Sequence, residues 1–550
     1  MIGPRFFFLL LFAAAVGSFA QPLQISDSQL DFGVTNELSA SQRAFFVKNN
    51  QPVPVVVSGL RWYNTYSAPA FSAPVDSFTL APGDSFQIEV SFLPRHNIAH
   101  NSELVLMAHP GGQVAIDLRG QGRYSKTYYS TTENLKQEAL KTALKARLAQ
   151  GYTSLSYNAA RDEMFMTIDN KKENGEGATQ NTLECLYTGR IIDGYANRTD
   201  AQLMNFNTEH VFPQGFFNQQ LPERSDIFHL YPTWEPANSA RGSLPFGIVS
   251  GSATYQDGGS KGNSSVFEPR DDAKGRVARS MLYFATRYGN YASFLTNQEN
   301  LLRQWAANFP PDLKDTRRND AIFAVQNNRN PYIDYPAFLE RITSLSTNST
   351  EAAVYSVDIP ADTIRFGLLP TGDTAHYQWV MVNDGNQPVK LTGFGSPFAG
   401  LLLPALPDTV SLAPGEAFSL PLALTLADSG TFSTTLNFRG QLANNQFTAS
   451  SVPIVAKART IPTTIDTVRG ELQGWNARLE SSVLHLFRKD LSGGETTVEL
   501  TDLHGRRITR FSVPSGSVSW QEPIPALASG LYQLKISQKG AAVFRKVKAE

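Results

Sequence analysis

Glu209 and His210 place a carboxylate and an imidazole side by side near the middle of the chain. A carboxylate is a hard oxygen ligand suited to Mg²⁺ or Ca²⁺, and a neutral imidazole can take a proton from water near pH 7. Neighbouring side chains of a regular strand point to opposite faces, so a shared site requires the strand to bend or end there. Pro213 is consistent with such a break. The pair predicts a metal-assisted hydrolytic site, and the alternative is an ordinary surface pair.

A second polar segment, residues 224–247, clusters amides and charges without apolar periodicity. The amide oxygen of Asn238 is a neutral metal ligand, and the guanidinium fork of Arg241 is suited to phosphate. The two residues are three positions apart, so they share one face of a helix. The segment therefore predicts a phosphate-handling site, and a surface ion pair is the alternative for Arg241.

Together with two further motifs, these segments resemble the endonuclease I family. The motifs are Asn-Thr-Glu-His at 207–210, Arg-Ser-Asp and His-Leu-Tyr-Pro within 224–232, Asn-Ser-Ala-Arg-Gly at 238–242, Lys-Gly-x-x-Ala-Arg at 274–279 with Arg-Tyr at 287–288, and Asn-Arg-Asn-Pro-Tyr-Ile-Asp at 328–334. They occur in the order of the family. The resemblance implies a metal-dependent, non-specific nuclease, extracellular or periplasmic, with a ββα-metal active site.

The resemblance also implies roles for individual residues. His210 takes the place of the general base, and Glu209 and Asn238 take the places of the metal ligands. We predict Arg241 as a further catalytic residue. Mg²⁺ is the expected cation, with Ca²⁺ and Mn²⁺ as alternatives, and DNA is the expected substrate, with RNA as a second candidate.

The sequence departs from the family pattern next to this motif. The family usually carries a histidine where this chain has Phe228, and His229 matches the next position. We therefore predict that His229 either contacts the residues of the site, as we also predict for Asp226, or is a core histidine with its hydrogen bonds satisfied. A catalytic role for His229 is the alternative.

The segment from Asp272 to Tyr288 predicts a helix with one apolar face and an adjacent stripe of arginines. The apolar residues are Val277, Met281, Phe284 and Tyr288, and the arginines are Arg276, Arg279 and Arg287. We predict that the apolar face is buried and that the arginines stay exposed and, with Arg241 and Arg329, bind backbone phosphates, which carry no base information. The alternative is ion pairing with acidic neighbours such as Asp271 and Asp272.

An internal repeat flanks the central segment. Its first copy contains residues 31–33, 49–52 and 80–84, and its second contains residues 365–367, 386–388 and 412–416. Short alternating runs between Pro and Gly turns are typical of β-sandwiches. Both copies, at 21–123 and 355–458, resemble immunoglobulin-like modules of the hydin type, whose partners the sequence does not identify.

The central segment, residues 124–345, has a different texture. Ser130 and Glu133 predict a capping box, and leucines then recur every fourth residue until Gly151. These leucines are Leu140, Leu144 and Leu148. The segment therefore predicts an α+β domain.

The last segment, residues 470–550, is again β-patterned. The Asp-Leu-His-Gly turn at 502–505, the Ser-Gly-Leu-Tyr strand at 529–532 and the Lys-Val-Lys end at 546–548 resemble the C-terminal sorting domain of type IX secretion. The resemblance implies passage across an outer membrane and the type IX machinery as a partner.

Composition and charge limit the functions that these motifs could serve. The chain has 550 residues, 48 Lys and Arg against 49 Asp and Glu, and a net charge of −1, so no overall basic field attracts polyanions. Cys185 is the only cysteine, which excludes an intrachain disulfide framework and multi-cysteine zinc sites. Arg5, the apolar run 6–16 and the small residues around Ala20 predict a cleaved signal at 1–20. No later run is long enough to predict a membrane-spanning helix.

These observations predict a multidomain protein, secreted or held at the outer-membrane surface. A central α+β nuclease domain with a ββα-metal motif is flanked by all-β immunoglobulin-like sandwiches and followed by a small C-terminal β-sandwich.

Two other functions are alternatives to a nuclease. Gly258, Ser260 and Gly262 match the elbow of serine hydrolases, but no hydrophobic strand precedes them, so we predict a surface loop. A catalytically inactive cell-surface adhesin that keeps the nuclease fold is the second, and the retained Glu209 and His210 argue against it.

Overall fold

A computed structural model describes residues 21–64, 69–443, 446–460, 475–480, 483–488, 494–528, 530–538 and 541–549. The predicted signal at 1–20, the start of the predicted C-terminal segment and Ser529 lie outside these residues. In chain order the described residues form a β-sandwich, a helix-rich central region, a second sandwich and a small C-terminal pair of sheets. None of the helices found there combines the length and the apolar character that crossing a bilayer requires.

The described residues of the first sandwich form nine strands. They are β1 (Leu23–Ile25), β2 (Gln29–Asn36), β3 (Ser41–Asn49), β4 (Val55–Asn64), β5 (Phe71–Ser72), β6 (Phe78–Leu80), β7 (Ser85–Phe92), β8 (Ala99–His109) and β9 (Gly112–Arg123). One sheet has the order β1-β3-β7-β5, and β4, β6, β8, β9 and β2 belong to the other. In β7, Ile88 and Val90 are buried while Gln87 and Glu89 are exposed, as the alternating pattern predicts.

The central region begins with a 3₁₀ turn at Thr127–Thr132 and ends with another at Pro336–Arg341. Its helices are α1 (Gln137–Ala149), α2 (Tyr157–Glu163), α3 (Arg198–Leu203), α4 (Glu235–Arg241), α5 (Asp271–Arg287), α6 (Glu299–Asn308), α7 (Leu313–Gln326) and α8 (Pro331–Asp334). Its strands are β10 (Thr182–Glu184), β11 (Ile191–Asp193), β12 (Phe206–His210), β13 (Leu230–Trp234), β14 (Tyr255–Asp257), β15 (Ser260–Gly262) and β16 (Phe267–Glu268). Three antiparallel sheets, β10-β11, β12-β13 and β14-β15-β16, lie among these helices.

The second sandwich follows the central region. Its strands are β17 (Ile364–Pro370), β18 (Thr374–Val382), β19 (Val389–Gly395), β20 (Leu401–Leu402), β21 (Thr409–Leu412), β22 (Ala417–Thr425), β23 (Gly430–Ala443) and β24 (Gln446–Arg459). One sheet has the order β17-β24-β23-β19-β21, and β20, β22 and β18 belong to the other.

A buried asparagine shows that the internal repeat is structural. Asn49 donates from Nδ2 to the carbonyl oxygens of Val53 and Leu80. Asn383 donates in the same way to Gln387 and Leu412. The equivalent residues are therefore Asn49 and Asn383, because the second copy has two extra residues before its Asn-Gln-Pro motif.

The two sandwiches share one eight-stranded sheet, because β18 of the second lies beside β9 of the first. The backbone amide of Val380 donates to Oε1 of Gln113 at 2.7 Å, and Val380 packs with Val105 and Val382. Gly112 has a φ of 100°, and a side chain there would collide with the backbone of Gln378. The sequence repeat did not predict this junction.

The first long helix of the central region starts later than predicted. Leu140, Leu144 and Leu148 are fully buried and Gly151 has a φ of 71°, which confirms the predicted core face and the glycine after the helix. The predicted capping box is wrong, because Ser130 lies in the preceding 3₁₀ turn and α1 begins after Lys136 without a side-chain cap.

The described residues of the C-terminal region form seven strands. They are β25 (Trp475–Glu480), β26 (Val483–Arg488), β27 (Thr496–Thr501), β28 (Arg507–Val513), β29 (Ser519–Pro523), β30 (Gly530–Gln538) and β31 (Ala541–Ala549). They form the sheets β25-β26-β29 and β28-β27-β30-β31. The predicted turn is present, since Oδ1 of Asp502 accepts from the amides of His504 and Arg506. Its assignment to type IX secretion stays a prediction.

Candidate active site

Two strands and a helix follow one another in the central region. β12 pairs antiparallel with β13, with Glu209 opposite Tyr231, and α4 begins as soon as β13 ends. This is the ββα arrangement that the resemblance implies. β12 ends at His210, which confirms the predicted bend or end of the strand at this pair.

The carboxylate of Glu209 lies inside the protein, with 2% of the residue exposed. Tyr187 donates a hydrogen bond of 2.5 Å from its hydroxyl to Oε1, and Nη1 of Arg241 lies 3.2 Å from the same oxygen. Burial raises the pKa of Glu209, while Arg241 and the Tyr187 hydroxyl act in the opposite direction. Two donors therefore hold the carboxylate in one orientation.

The imidazole of His210 has one nitrogen engaged by the backbone. Its Nε2 lies 3.3 Å from the carbonyl oxygen of Arg224. Because a carbonyl oxygen only accepts, Nε2 carries the hydrogen and Nδ1 keeps a lone pair. Burial, with the nearby charge of His229, lowers the pKa of His210 well below its ordinary value. The ring is therefore neutral at pH 7, with the lone pair on Nδ1.

Asn238 places an amide beside the Glu209 strand. Its Nδ2 donates to Oδ1 of Asn207 at 2.8 Å and to the carbonyl oxygen of Thr208 at 3.2 Å. Asn207 and Glu209 are two positions apart in β12 and so point to the same face. With both amide hydrogens used, the Oδ1 of Asn238 is the atom left for a ligand.

The donor set of Glu209 and Asn238 fits a hydrated divalent cation. Both supply oxygen, the ligand that Mg²⁺ and Ca²⁺ prefer, and Mg²⁺ usually keeps several waters beside one or two protein ligands. Across the described ranges no group of three or more His, Cys, Asp or Glu side chains gathers as a metal cage. A cation held by Glu209 and Asn238 would take the rest of its ligands from water.

Arg241 is engaged by the protein itself. It is 1% exposed, and its guanidinium donates to the carbonyl oxygens of His210 at 3.0 Å, Gly242 at 3.2 Å and Val211 at 2.5 Å. With the ion pair to Glu209, these bonds clamp the end of β12. The sequence predicted that Arg241 either offers a free guanidinium to phosphate or forms a surface ion pair. Both predictions are wrong about its exposure, because α4 turns the side chain into the protein.

His229 and Asp226 lie behind the hairpin and are fully buried. Nε2 of His229 contacts the carbonyl oxygen of Glu223 at 2.7 Å, and burial lowers the pKa of His229 to about 4. Asp226 accepts from the hydroxyls of Tyr283 at 2.7 Å and Tyr288 at 2.8 Å. These contacts anchor the turn at Ile227–His229 to α5.

Known proteins match the chain across this region. Residues 131–337 match the model of the family Endonuclease I. An extracellular ribonuclease of Bacillus amyloliquefaciens is 31% identical over 237 residues, which cover 40% of this chain and 78% of the relative. The chain belongs to the endonuclease I family.

Two further relatives accompany that match. An extracellular ribonuclease of Bacillus subtilis is 30% identical over 239 residues, covering 39% of this chain and 78% of the relative. An extracellular deoxyribonuclease of Aeromonas hydrophila is 26% identical over 165 residues, covering 26% of this chain and 71% of the relative. Residues 22–121 match a separate family model, the HYDIN/CFA65/VesB-like, Ig-like domain, so an immunoglobulin-like module precedes the endonuclease I region.

The four arginines predicted to bind substrate make ion pairs inside the endonuclease I region. Arg279, Arg287 and Arg329 are buried, and Arg276 is partly buried. Their carboxylate partners are Asp315 for Arg276 and Arg279, Asp226 for Arg287, and Asp320 and Asp334 for Arg329. The expectation that the stripe on α5 stays exposed is therefore wrong, because α5 packs against α1, α6 and α8 on several sides. The acidic partners also differ from the neighbours Asp271 and Asp272 considered from the sequence.

Ser260 has a structural place in the endonuclease I region. It is fully buried in β15, and its hydroxyl donates to the carbonyl oxygen of Tyr187 at 2.6 Å and accepts from the amide of Arg270 at 2.9 Å. The predicted surface loop is wrong, but the conclusion that this motif is no hydrolase elbow agrees with a serine used on both sides by the backbone.

Four further side chains surround the site that sequence reasoning did not single out. They are Tyr187, which donates to Glu209, Tyr157 and Arg224 beside His210, and Arg161 on the ring of Tyr157. The ring centroids of Tyr157 and His210 are 5.6 Å apart. Arg224 belongs to the Arg-Ser-Asp motif at 224–226. Tyr157 and Arg161 lie far upstream, where no local signal connects them to the site.

Proposed function

We propose that the endonuclease I region hydrolyses phosphodiester bonds of nucleic acid with the help of a divalent cation and without strong sequence preference. Family membership supports a nuclease that acts on nucleic acid. The relatives named above are ribonucleases and a deoxyribonuclease, so we include RNA and DNA as substrates. The roles described below concern phosphate and water, which are the same at every nucleotide.

The observation that carries the proposal is the hydrogen bond between Nε2 of His210 and the carbonyl oxygen of Arg224. This bond fixes the tautomer, so the lone pair of Nδ1 is available to accept a proton from the attacking water. The carbonyl also holds the ring in one orientation, because the backbone of the turn at Glu223–Ser225 is anchored by neighbouring contacts.

Glu209 and Asn238 are the residues that would hold the cation. A bound divalent cation supplies positive charge against the phosphate oxygens as the transition state forms. Tyr187 and Arg241 orient the Glu209 carboxylate, and Asn207 orients the Asn238 amide so that its oxygen is left for the cation. Arg241 thus acts on the site by positioning Glu209 and the end of β12.

We place the protein outside the cytoplasm. The predicted signal at 1–20 and the extracellular relatives support export. The pattern of the last eighty residues supports passage through the type IX machinery and release or attachment at the outer-membrane surface.

A plasmid-nicking assay with Mg²⁺, Mn²⁺ or Ca²⁺ and with EDTA, repeated on RNA, tests the proposal. We expect cleavage with a cation and none with EDTA. His210→Ala should lower the cleavage rate about 10²–10⁴-fold and should leave Mn²⁺ binding, measured by calorimetry, intact. Glu209→Ala should lose both. His504→Ala, which removes an exposed histidine of the C-terminal region, is the control and should cleave normally.

Two results would contradict the proposal. If His210→Ala cleaves at the rate of the unchanged protein, His210 is not the proton acceptor. Binding of nucleic acid without cleavage, under every cation, would instead support the inactive adhesin.

A further inference from the structure

Two guanidinium groups meet on one tyrosine ring next to His210. The central carbon of Arg224 lies 4.1 Å from the centroid of the Tyr157 ring, and that of Arg161 lies 4.4 Å from it. Tyr157 and Arg161 are four positions apart on α2, so they share one face of the helix. Arg224 reaches the same ring from the 3₁₀ turn whose carbonyl oxygen holds His210.

Their positive charges are not cancelled within the described part of the chain, where neither arginine makes an ion pair with a carboxylate. Nη2 of Arg161 donates to the neutral Asn158 at 2.7 Å, and Nε of Arg224 donates to the neutral Gln214 at 3.1 Å. The buried Nε of Arg161 makes no hydrogen bond among these residues. Among the described residues, Nη1 of Arg161 and both Nη groups of Arg224 make no hydrogen bond, and these donors are left for another molecule.

The arrangement is electrostatically unfavourable without a further partner. Burial lowers the pKa of Arg161, and the charges of Arg198 and Arg224 lower it further, whereas the Tyr157 ring and Asp162 oppose this effect. Asp162 itself is paired with Arg198 at 2.6 Å. Two like charges placed together beside a proton acceptor are stabilised most directly by an anion between them.

We propose that Arg161 and Arg224, held on the ring of Tyr157, form a binding site for the backbone phosphates of the nucleic acid next to the bond that is cut. The inference rests on the proposed function and adds where the substrate is held. We call these three residues the Tyr157 cation pair.

The chemistry of the Tyr157 cation pair suits a polynucleotide backbone. A guanidinium presents a planar fork that binds phosphate through two parallel hydrogen bonds, and stacking on a ring pre-orients it. Phosphate contacts position a nucleic acid without reading its bases. The pair therefore supplies local positive charge to a chain whose net charge is only −1.

The salt dependence of binding tests the inference. We measure the affinity for a DNA duplex and for single-stranded RNA in EDTA, which prevents cleavage, over a series of salt concentrations. Each phosphate contact contributes about 0.9 to the slope of log K against log salt for duplex DNA and about 0.7 for a single strand. Arg161→Ala/Arg224→Ala should therefore flatten the slope by about 1.8 or 1.4, and the double lysine variant should keep most of it.

Arg147→Ala is the matched control, because Arg147 also stacks on a tyrosine, Tyr128, at 3.7 Å, yet has no contact with His210. It should leave the slope unchanged. If the alanine pair loses the native circular-dichroism spectrum, Arg161→Gln/Arg224→Gln keeps part of the aliphatic stem and a neutral hydrogen-bond donor, and should show the same loss of slope.

The outcomes separate this inference from the proposed function. An unchanged slope in the double variant, with cleavage still abolished by His210→Ala, overturns the cation pair alone. A flattened slope in a protein that cleaves nothing under any cation supports the cation pair and overturns the proposed function.

Discussion

Two groups of arginines lie in the same region and meet different surroundings. The arginines of α5, represented by Arg279, are enclosed by neighbouring helices and sit on carboxylates. Arg161 and Arg224 stack on the Tyr157 ring next to His210 and donate to neutral side chains. A cancelled charge holds helices together, whereas an uncancelled charge at a site is free to attract an anion. The comparison shows that the partner of an arginine, rather than its place in a stripe, indicates what it does.

The largest effect should come from breaking an enclosed pair. Arg279→Ala removes a guanidinium that donates to Asp315 at 2.6 Å and to the carbonyl oxygen of Phe309 at 2.6 Å. Because it leaves a buried carboxylate with less compensation, we expect the central region to lose about 3–5 kcal/mol of unfolding free energy. Urea denaturation followed by tryptophan fluorescence measures it.

Arg161→Ala is the counterpart in the same denaturation experiment. Since it removes a charge that repels its neighbours, we expect a change within about 1 kcal/mol. A loss below about 1 kcal/mol for Arg279→Ala would mean that the ion pairs of α5 do not stabilise the fold. The prediction that the arginines of α5 bind substrate would then have to be considered again.

A buried carboxylate at the junction of the sandwiches extends the comparison to negative charge. Glu103 in β8 lies opposite Asp117 and Tyr63, with Glu416 and Arg119 nearby. Burial, and then the charge of Asp117, raises the pKa of Glu103 to about 8. Unlike Arg161 and Arg224, this group can remove its charge by binding a proton.

The raised pKa predicts a pH dependence of stability. Between the ordinary value of 4.5 and about 8, the folded protein keeps a proton on Glu103 that the unfolded chain has lost. Stability therefore falls as the pH rises through this window, by at most about 1.4 kcal/mol per pH unit. Glu103→Gln should abolish this component, stabilising the sandwiches at pH 7–8 and leaving them unchanged near pH 4, as thermal unfolding at several pH values would measure. An equal effect at both ends would contradict the assignment.

Sequence reasoning reached the parts of this protein that local patterns encode. The leucine spacing of α1, the alternation in β7 and the end of β12 at His210 follow from neighbours in the chain, whereas the ββα order around Glu209 and His210 came from the resemblance to the family. The recurring motifs predicted two similar sandwiches, and the structure shows that Asn49 and Asn383 make the same local turn in the two copies.

Contacts between distant segments were beyond the reach of the same reasoning. The stripe on α5 looked exposed because a helical wheel shows one buried face, whereas α1, α6 and α8 cover several. Tyr157 meets Arg224 across 67 positions of sequence, and Val380 meets Gln113 across 267. Neither pair leaves a periodic signal, so the cation pair and the shared sheet became visible only in three dimensions.

The smallest effect should come from an exposed but cancelled arginine. Arg190 lies on the Trp234 ring at 4.0 Å and pairs with Asp257 at 3.1 Å, with 51% of its side chain exposed. An exposed ion pair contributes about 0–1 kcal/mol, so Arg190→Ala should barely change stability. The salt slope for DNA should also stay unchanged, because Asp257 already satisfies the charge and competes with phosphate. A fall in slope approaching 0.9 would mean that a carboxylate partner does not keep an arginine from the substrate, and the distinction between the two groups would then rest on position alone.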